Sequence, residues 1–279
     1  MTAPAIMPER RDYKFYLPWD RVLNWNGVSP SWGQFFNTFS VFFPAGERFF
    51  INTVRDFREQ IRDPELEKAV KAFIGQEAMH TREHVEYNKA LTAAGVPADA
   101  LDAAITRVLE TVYKILPKEL CLAATVSLEH LTAILGDLLL KNPQALAGSD
   151  ERYIALWMWH ALEETEHKAV TFDLYQHVMG TGVDAYLLRV AAFVVVNAIF
   201  IAMLYPAYFS LLVASGQIKD ARDVGVSFQQ QWGKPGYLRQ LVPDWLDFFR
   251  PSFHPWQHDN RRFLGGLKAL QKSVRRFAA

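Results

Sequence analysis

Residues 73–84 read FIGQEAMHTREH, and within them Glu77 and His80 stand three positions apart on a run with helical patterning. Side chains three or four positions apart on a helix share a face, so both can reach one metal centre. The pattern returns at Glu164 and His167, inside WHALEETEHKAVTFDLY, residues 159–175. Each pair follows a single glutamate: Glu47 lies thirty residues before Glu77, and Glu129 lies thirty-five before Glu164. One Glu-x-x-His carries little weight, because composition alone produces it readily. Glu, Glu-x-x-His, Glu, Glu-x-x-His on four apolar helical segments is different: it is the ligand order of a dinuclear site in a four-helix bundle.

The two stripes extend further. His160, Glu164 and His167 fall at i, i+4 and i+7, which makes His160 a third histidine ligand in this reading. His84 lies one turn beyond His80; its expected part is to tune protonation beside the metal, with ligand and structural roles left open. Glu47 stands among Phe49, Phe50, Val54 and Phe57, where an unpaired carboxylate is costly and a metal would resolve the cost. The duller reading is a surface glutamate paired with Arg48 or Arg55. Glu129 is the main polar group of CLAATVSLEHLTAILGDLLL, residues 121–140. Its neighbour His130 points about 100° away and is expected to serve a ligand from behind or to sit in the core. Glu163 and Glu166 lie off the stripe and are read as solvated or paired, as are Glu83 and Glu86. Tyr113, Tyr153 and Tyr175 are candidate neighbours of the site. His254 and His258 are read as structural.

Turn and cap residues divide the chain. Residues 1–30 are an irregular lead-in. Residues 31–182 are the metal-binding bundle, and residues 183–279 are an apolar helix and tail packed on the bundle or on a membrane. Helix A is expected from Pro44 to Arg62. Helix B follows at 65–94, capped by Asp63 with Pro64 in its first turn. A connecting helix over 98–115 leads to helix C at 118–140. Helix D is expected at 151–179, capped by Ser149 or Asp150 and ended by Gly180. The run VAAFVVVNAIFIAMLYPAYFSLLVA, residues 190–214, carries no charge and is long enough to span a membrane. A buried or interface helix is the competing reading. Arg261 to Arg276 reads as a basic amphipathic helix.

At 279 residues with 50% hydrophobic content the chain can bury a large core. Thirty basic residues balance thirty acidic ones, which excludes the basic footprint of a nucleic-acid binder. A single cysteine, Cys121, permits no internal disulfide, and the N-terminus lacks an apolar signal core. The expected location is the cytoplasm, with contact to the inner membrane through 190–214, and the expected assembly is a homodimer. Four carboxylates with two or three imidazoles and no thiolate suit two iron ions, with manganese or zinc as alternatives.

The arrangement of Glu47, Glu77, His80, Glu129, Glu164 and His167 resembles the ferritin-like di-iron carboxylate superfamily. That resemblance implies an all-α fold, a ferritin-like four-helix bundle around a dinuclear metal site. With His160 added, the ligand spacing resembles the bacterial di-iron arylamine N-oxygenases. The stretches FFPAGERFF (42–50), FIGQEAMHTREH and WHALEETEHKAVTFDLY resemble a bacterial family labelled predicted metal-dependent hydrolase. The leading expectation is an O2-activating di-iron oxidase or oxygenase for a small or lipid-like substrate, served by an electron donor. A dinuclear hydrolase using metal-activated hydroxide and a non-enzymatic iron- or oxidant-handling protein are the alternatives.

Overall fold

The computed structural model describes residues 6–277; of the lead-in, residues 1–5 lie outside the described part, as do residues 278–279 of the tail. The described residues contain helices and turns, with no strand. In chain order the helices are α1 (Pro30–Arg55), α2 (Pro64–Ala93), α3 (Ala98–Ile115), α4 (Lys118–Lys141), α5 (Glu151–His167), α6 (Val170–Met179), α7 (Val183–Ala214), α8 (Ala221–Trp232), α9 (Tyr237–Gln240), α10 (Val242–Asp247) and α11 (Gly266–Phe277).

Helices α1, α2, α4 and the α5–α6 pair form a four-membered bundle. The register is fixed by contacts across it: Gln76 opposite His167, His80 opposite Glu163 and His84 opposite His160 make α2 and α5 antiparallel. Ser40 opposite Asn88, with Glu47 beside Glu77 and His80, does the same for α1 and α2. Thr132 opposite Glu164 orients α4 against α5. There the helices come very close, because a Cβ on Gly136 would sit 3.3 Å from the Ala161 Cα and from the Glu164 Cβ. Helix α3 packs on α1, α7 lies across α4 and α1, and α11 lies on α5.

Local chemistry explains most boundaries. Asp63 Oδ1 accepts from the amides of Glu65 and Leu66, and Pro64 opens α2. Asp150 rather than Ser149 caps α5, accepting from Arg152 N, while Ser149 Oγ accepts from Gly27 N. Two expectations need correction. Helix A does not begin at Pro44: it begins at Pro30, where Ser29 Oγ accepts from Trp32 N, and ends at Arg55 rather than Arg62. Pro44 sits inside the helix without breaking it. Proline has no N–H for the Ser40 carbonyl four residues back, and Asn88 Nδ2 of α2 donates to that carbonyl instead, at 2.9 Å. Helix D is not continuous either. It breaks at Lys168 and Ala169, where the buried Lys168 ammonium donates to the His258 carbonyl and to Asn260 Oδ1.

Two helices are long and apolar enough to cross a membrane by length and composition, α4 and α7. The most apolar window of α4 is 61% buried, as suits a core helix of the bundle, whereas that of α7 is 22% buried. Leu187, Val194, Val195, Ile201, Phe209 and Val213 of α7 are exposed along one stripe.

Candidate metal centre

Glu47 on α1, Glu77 and His80 on α2, Glu129 on α4, and His160, Glu164 and His167 on α5 meet in the middle of the bundle, all buried. The backbone reason is plain: each helix turns one polar stripe toward an otherwise apolar interior. Glu47 is not a surface residue paired with Arg48. It is 2% exposed, and Arg48 instead reaches Asp102 and Thr106.

Four sets of three residues offer ligand atoms within 4.8 Å of one another: Glu47, Glu77, His80; Glu77, Glu164, His167; His80, His160, Glu164; and Glu47, His84, His160. The first two share Glu77. Its Oε1 lies 3.6 Å from His80 Nδ1 and 3.2 Å from His167 Nε2, so one oxygen faces the ring nitrogens of both motifs. Glu129 Oε2 lies 3.7 Å and Glu164 Oε1 3.5 Å from the same His167 nitrogen.

Whether a metal fits is decided by what these atoms lack. Both oxygens of Glu47, both of Glu129, Oε1 of Glu77, Nδ1 of His80 and Nε2 of His167 are buried without a hydrogen-bond partner. Buried polar atoms are almost always paired, and each orphan costs roughly 1–3 kcal/mol. Here seven lie together, every one a lone-pair donor. Cations placed among them would satisfy all seven, so the residues fit metal ions of the type that oxygen and imidazole ligands hold. Cys121 stands apart, beside the Val112 carbonyl, and thiolate-type zinc is excluded.

Packed this closely, the groups shift one another's charge. Burial, then the Glu77 charge, holds Glu47 well above the usual carboxylate range. Burial, then Glu164 and Glu77, does the same to Glu129. At Glu164 burial pushes the same way, but the nearby His167 charge and the hydrogen bond from His160 outweigh it and hold the group well below the usual range. His160 is lowered to about 4 by burial and by His80, against the pull of Glu164. His84 is also lowered, by burial and by the neighbouring His160 and His80.

The other ring nitrogens are held from outside the cluster. His80 Nε2 donates to Glu163 Oε2 at 3.1 Å, and His167 Nδ1 donates to Gln76 Oε1 at 3.0 Å. Such outer partners fix ring orientation and raise ligand basicity. Glu163 and Glu166 are buried rather than solvated. Arg11 grips both, with Nη1 3.1 Å from Glu163 and 2.7 Å from Glu166, and Nη2 2.8 Å from Glu166. Gln76 Nε2 also donates to Glu166. Thr132 Oγ1 donates to Glu164 Oε2 at 2.7 Å. His160 Nε2 donates to Glu164 Oε1, and His160 Nδ1 lies 2.9 Å from His84 Nε2, whose other nitrogen lies 2.9 Å from Ser40 Oγ.

Sequence reasoning passed over Arg11, Gln76, Thr132 and Ser40. Gln76 had a visible sign, since it stands four before His80 on the same stripe. Arg11 had none, being more than 150 residues from its partners. The remaining candidates lie elsewhere. His130 donates to the Asp244 carbonyl, stacks on Phe248 and is lowered to about 3, chiefly by burial. Tyr113, Tyr153 and Tyr175 donate to Asp56, the Pro18 carbonyl and the Ala185 carbonyl. His254 and His258 pair with Asp173 and Asp247. Glu83 is buried and accepts from Arg82 and Phe15 N, and Glu86 pairs with Lys89 in solvent.

Replacing Glu163 by Gln leaves His80 a weaker acceptor behind its ring. Metal affinity is expected to fall about 10- to 100-fold with the fold intact, as read by competition with a chelator. An unchanged affinity would show that Glu163 does not act on the site.

The chain matches, over residues 9–259, the family described as predicted metal-dependent hydrolase, and it belongs to that family. No curated protein and no solved structure matches it at a significant level.

Proposed function

We propose that this member of the predicted metal-dependent hydrolase family is a dinuclear metalloenzyme that oxidises an apolar organic substrate with O2. The ligands are Glu47, Glu77, His80, Glu129, Glu164 and His167, with His160 as a seventh, on a bundle of the ferritin-like kind. The observation that carries the reading is the set of seven orphaned donor atoms in a hydrocarbon surround.

Bound iron would supply electron transfer to O2, whereas a redox-inert ion such as zinc would supply water of lowered pKa. The protein's own groups do the rest. Arg11 through Glu163 holds the His80 ring, Gln76 holds His167, and Thr132 holds Glu164. Phe43 stacks on His160, with centroids 4.5 Å apart, and helps exclude water. Between His84 Nε2 and His160 Nδ1 one proton is shared inside the site.

Hydrolysis is the second reading, and the family's description favours it. In that reading the bound ions would polarise the carbonyl and steady the developing oxyanion, and the apolar wall would add little to them. The one hydroxyl beside the ligands in the cavity wall, Thr132, spends its proton on Glu164. Iron-loaded, reduced protein is expected to change its visible spectrum on admission of O2. Zinc-loaded protein that cleaves esters anaerobically, with an iron form silent to O2, would establish the hydrolase instead.

A further inference from the structure

Two cavities reach the cluster from different directions. One lies between α1, α4, α5 and α9, with a volume of about 80 Å³. The other, of about 220 Å³, lies between α1, α3, α4 and α7. Phe39, Phe43, Thr132, Leu135, His160 and Glu164 line both, so the two adjoin at the ligands themselves. In the α7-side cavity every polar side chain belongs to the ligand cluster or is Thr132, and the remaining walls are hydrocarbon. No lysine or arginine lines either cavity.

The geometry points to one binding site with two arms, for a neutral, unbranched hydrocarbon chain whose interior, rather than its end, lies at the metal centre. This assignment of substrate class rests on the metal-centre reading above. The shared residues make the cluster the middle of the path, so a chain filling both arms must pass it. With no cationic side chain along either wall, a carboxylate at the chain end would find no partner in the arms, which suits an alcohol, an alkane or an ester. The unequal volumes place the longer segment under α7.

The test is a chain-length series of saturated primary alcohols, hexanol to hexadecanol, titrated into the purified full chain, with stoichiometry from native mass spectrometry. Affinity is expected to rise roughly fourfold per methylene and then level off once both arms are filled, with one chain per protein. Leu138→Trp plugs the first arm and Val196→Trp the second. Each is expected to weaken hexadecanol at least about 100-fold while moving hexanol less than about threefold. Leu138→Phe and Val196→Phe give the same comparison should the tryptophan variants fail to fold. A plug in either arm that leaves hexadecanol unchanged, or two chains bound at once, would overturn the two-armed site. Hexadecanoate binding as tightly as hexadecanol would overturn the neutral-chain assignment. Metal content, measured on the same samples, reports separately on the centre: protein that binds the alcohols but takes up no metal would sink the metal reading and leave the cavities standing.

Discussion

Glu77→Ala is expected to lower the metal content from two ions per chain to less than one and to reduce turnover to background. Glu77 is the residue whose loss should cost most, because its Oε1 faces a ring nitrogen from each Glu-x-x-His pair, His80 Nδ1 and His167 Nε2. Removing it takes a ligand from both sites at once and leaves two imidazole nitrogens facing a gap. The loss is also readable without turnover. Metal that binds only the folded state stabilises it by about 2.7 kcal/mol per site at a hundredfold excess over Kd. The wild-type melting temperature should therefore rise on metal addition, and that of Glu77→Ala should not. A variant that still takes up two ions and still gains stability would place the centre elsewhere.

Arg11→Ala is expected to destabilise the fold by about 3 kcal/mol. The guanidinium forks across two buried carboxylates, and removing one partner of a buried pair leaves uncompensated charge, for which losses of about 3–5 kcal/mol are usual. The lower end applies because Glu163 keeps His80 and Glu166 keeps Gln76. Arg11→Lys should recover only part of the loss, since one ammonium cannot reproduce the three contacts made by Nη1 and Nη2. Denaturant unfolding of metal-free protein measures both. A loss below about 1 kcal/mol for Arg11→Ala would mean that the carboxylates are hydrated or neutral in solution.

The helices bearing the cluster were legible where a local rule set their limits. The Asp63–Pro64 and Pro117 punctuation bounded α2 and α4 within a residue or two. Ser29–Pro30 carries the same starting signature as Asp63–Pro64, yet Pro44 hid it, because a proline inside a helix reads as a boundary. What allows it there is Asn88, a contact with α2 that no local pattern contains. The break after His167 is likewise made at long range, where Lys168 is drawn to residues 258–260.

The cluster itself stood in the spacing, since helical periodicity and the order of the four segments place those seven side chains on inward stripes. Its supports did not. Glu163 and Glu166 point away from the ligand stripe and read as solvated or paired, and the partner, Arg11, is known only once residues 9–11 fold over them. Periodicity says which way a side chain points from its own helix; what covers that face comes from another part of the chain. The cavities are of the same kind, since Phe43, Leu135 and Val196 become one path only after α7 lies across α4.

The measurement that bears most directly on the account is metal bound per chain after anaerobic loading of the purified protein with Fe(II) and removal of the excess. The account predicts about two ions in the wild type and fewer than one in Glu77→Ala. Wild-type protein that retains none, whether offered iron, manganese or zinc, would contradict it.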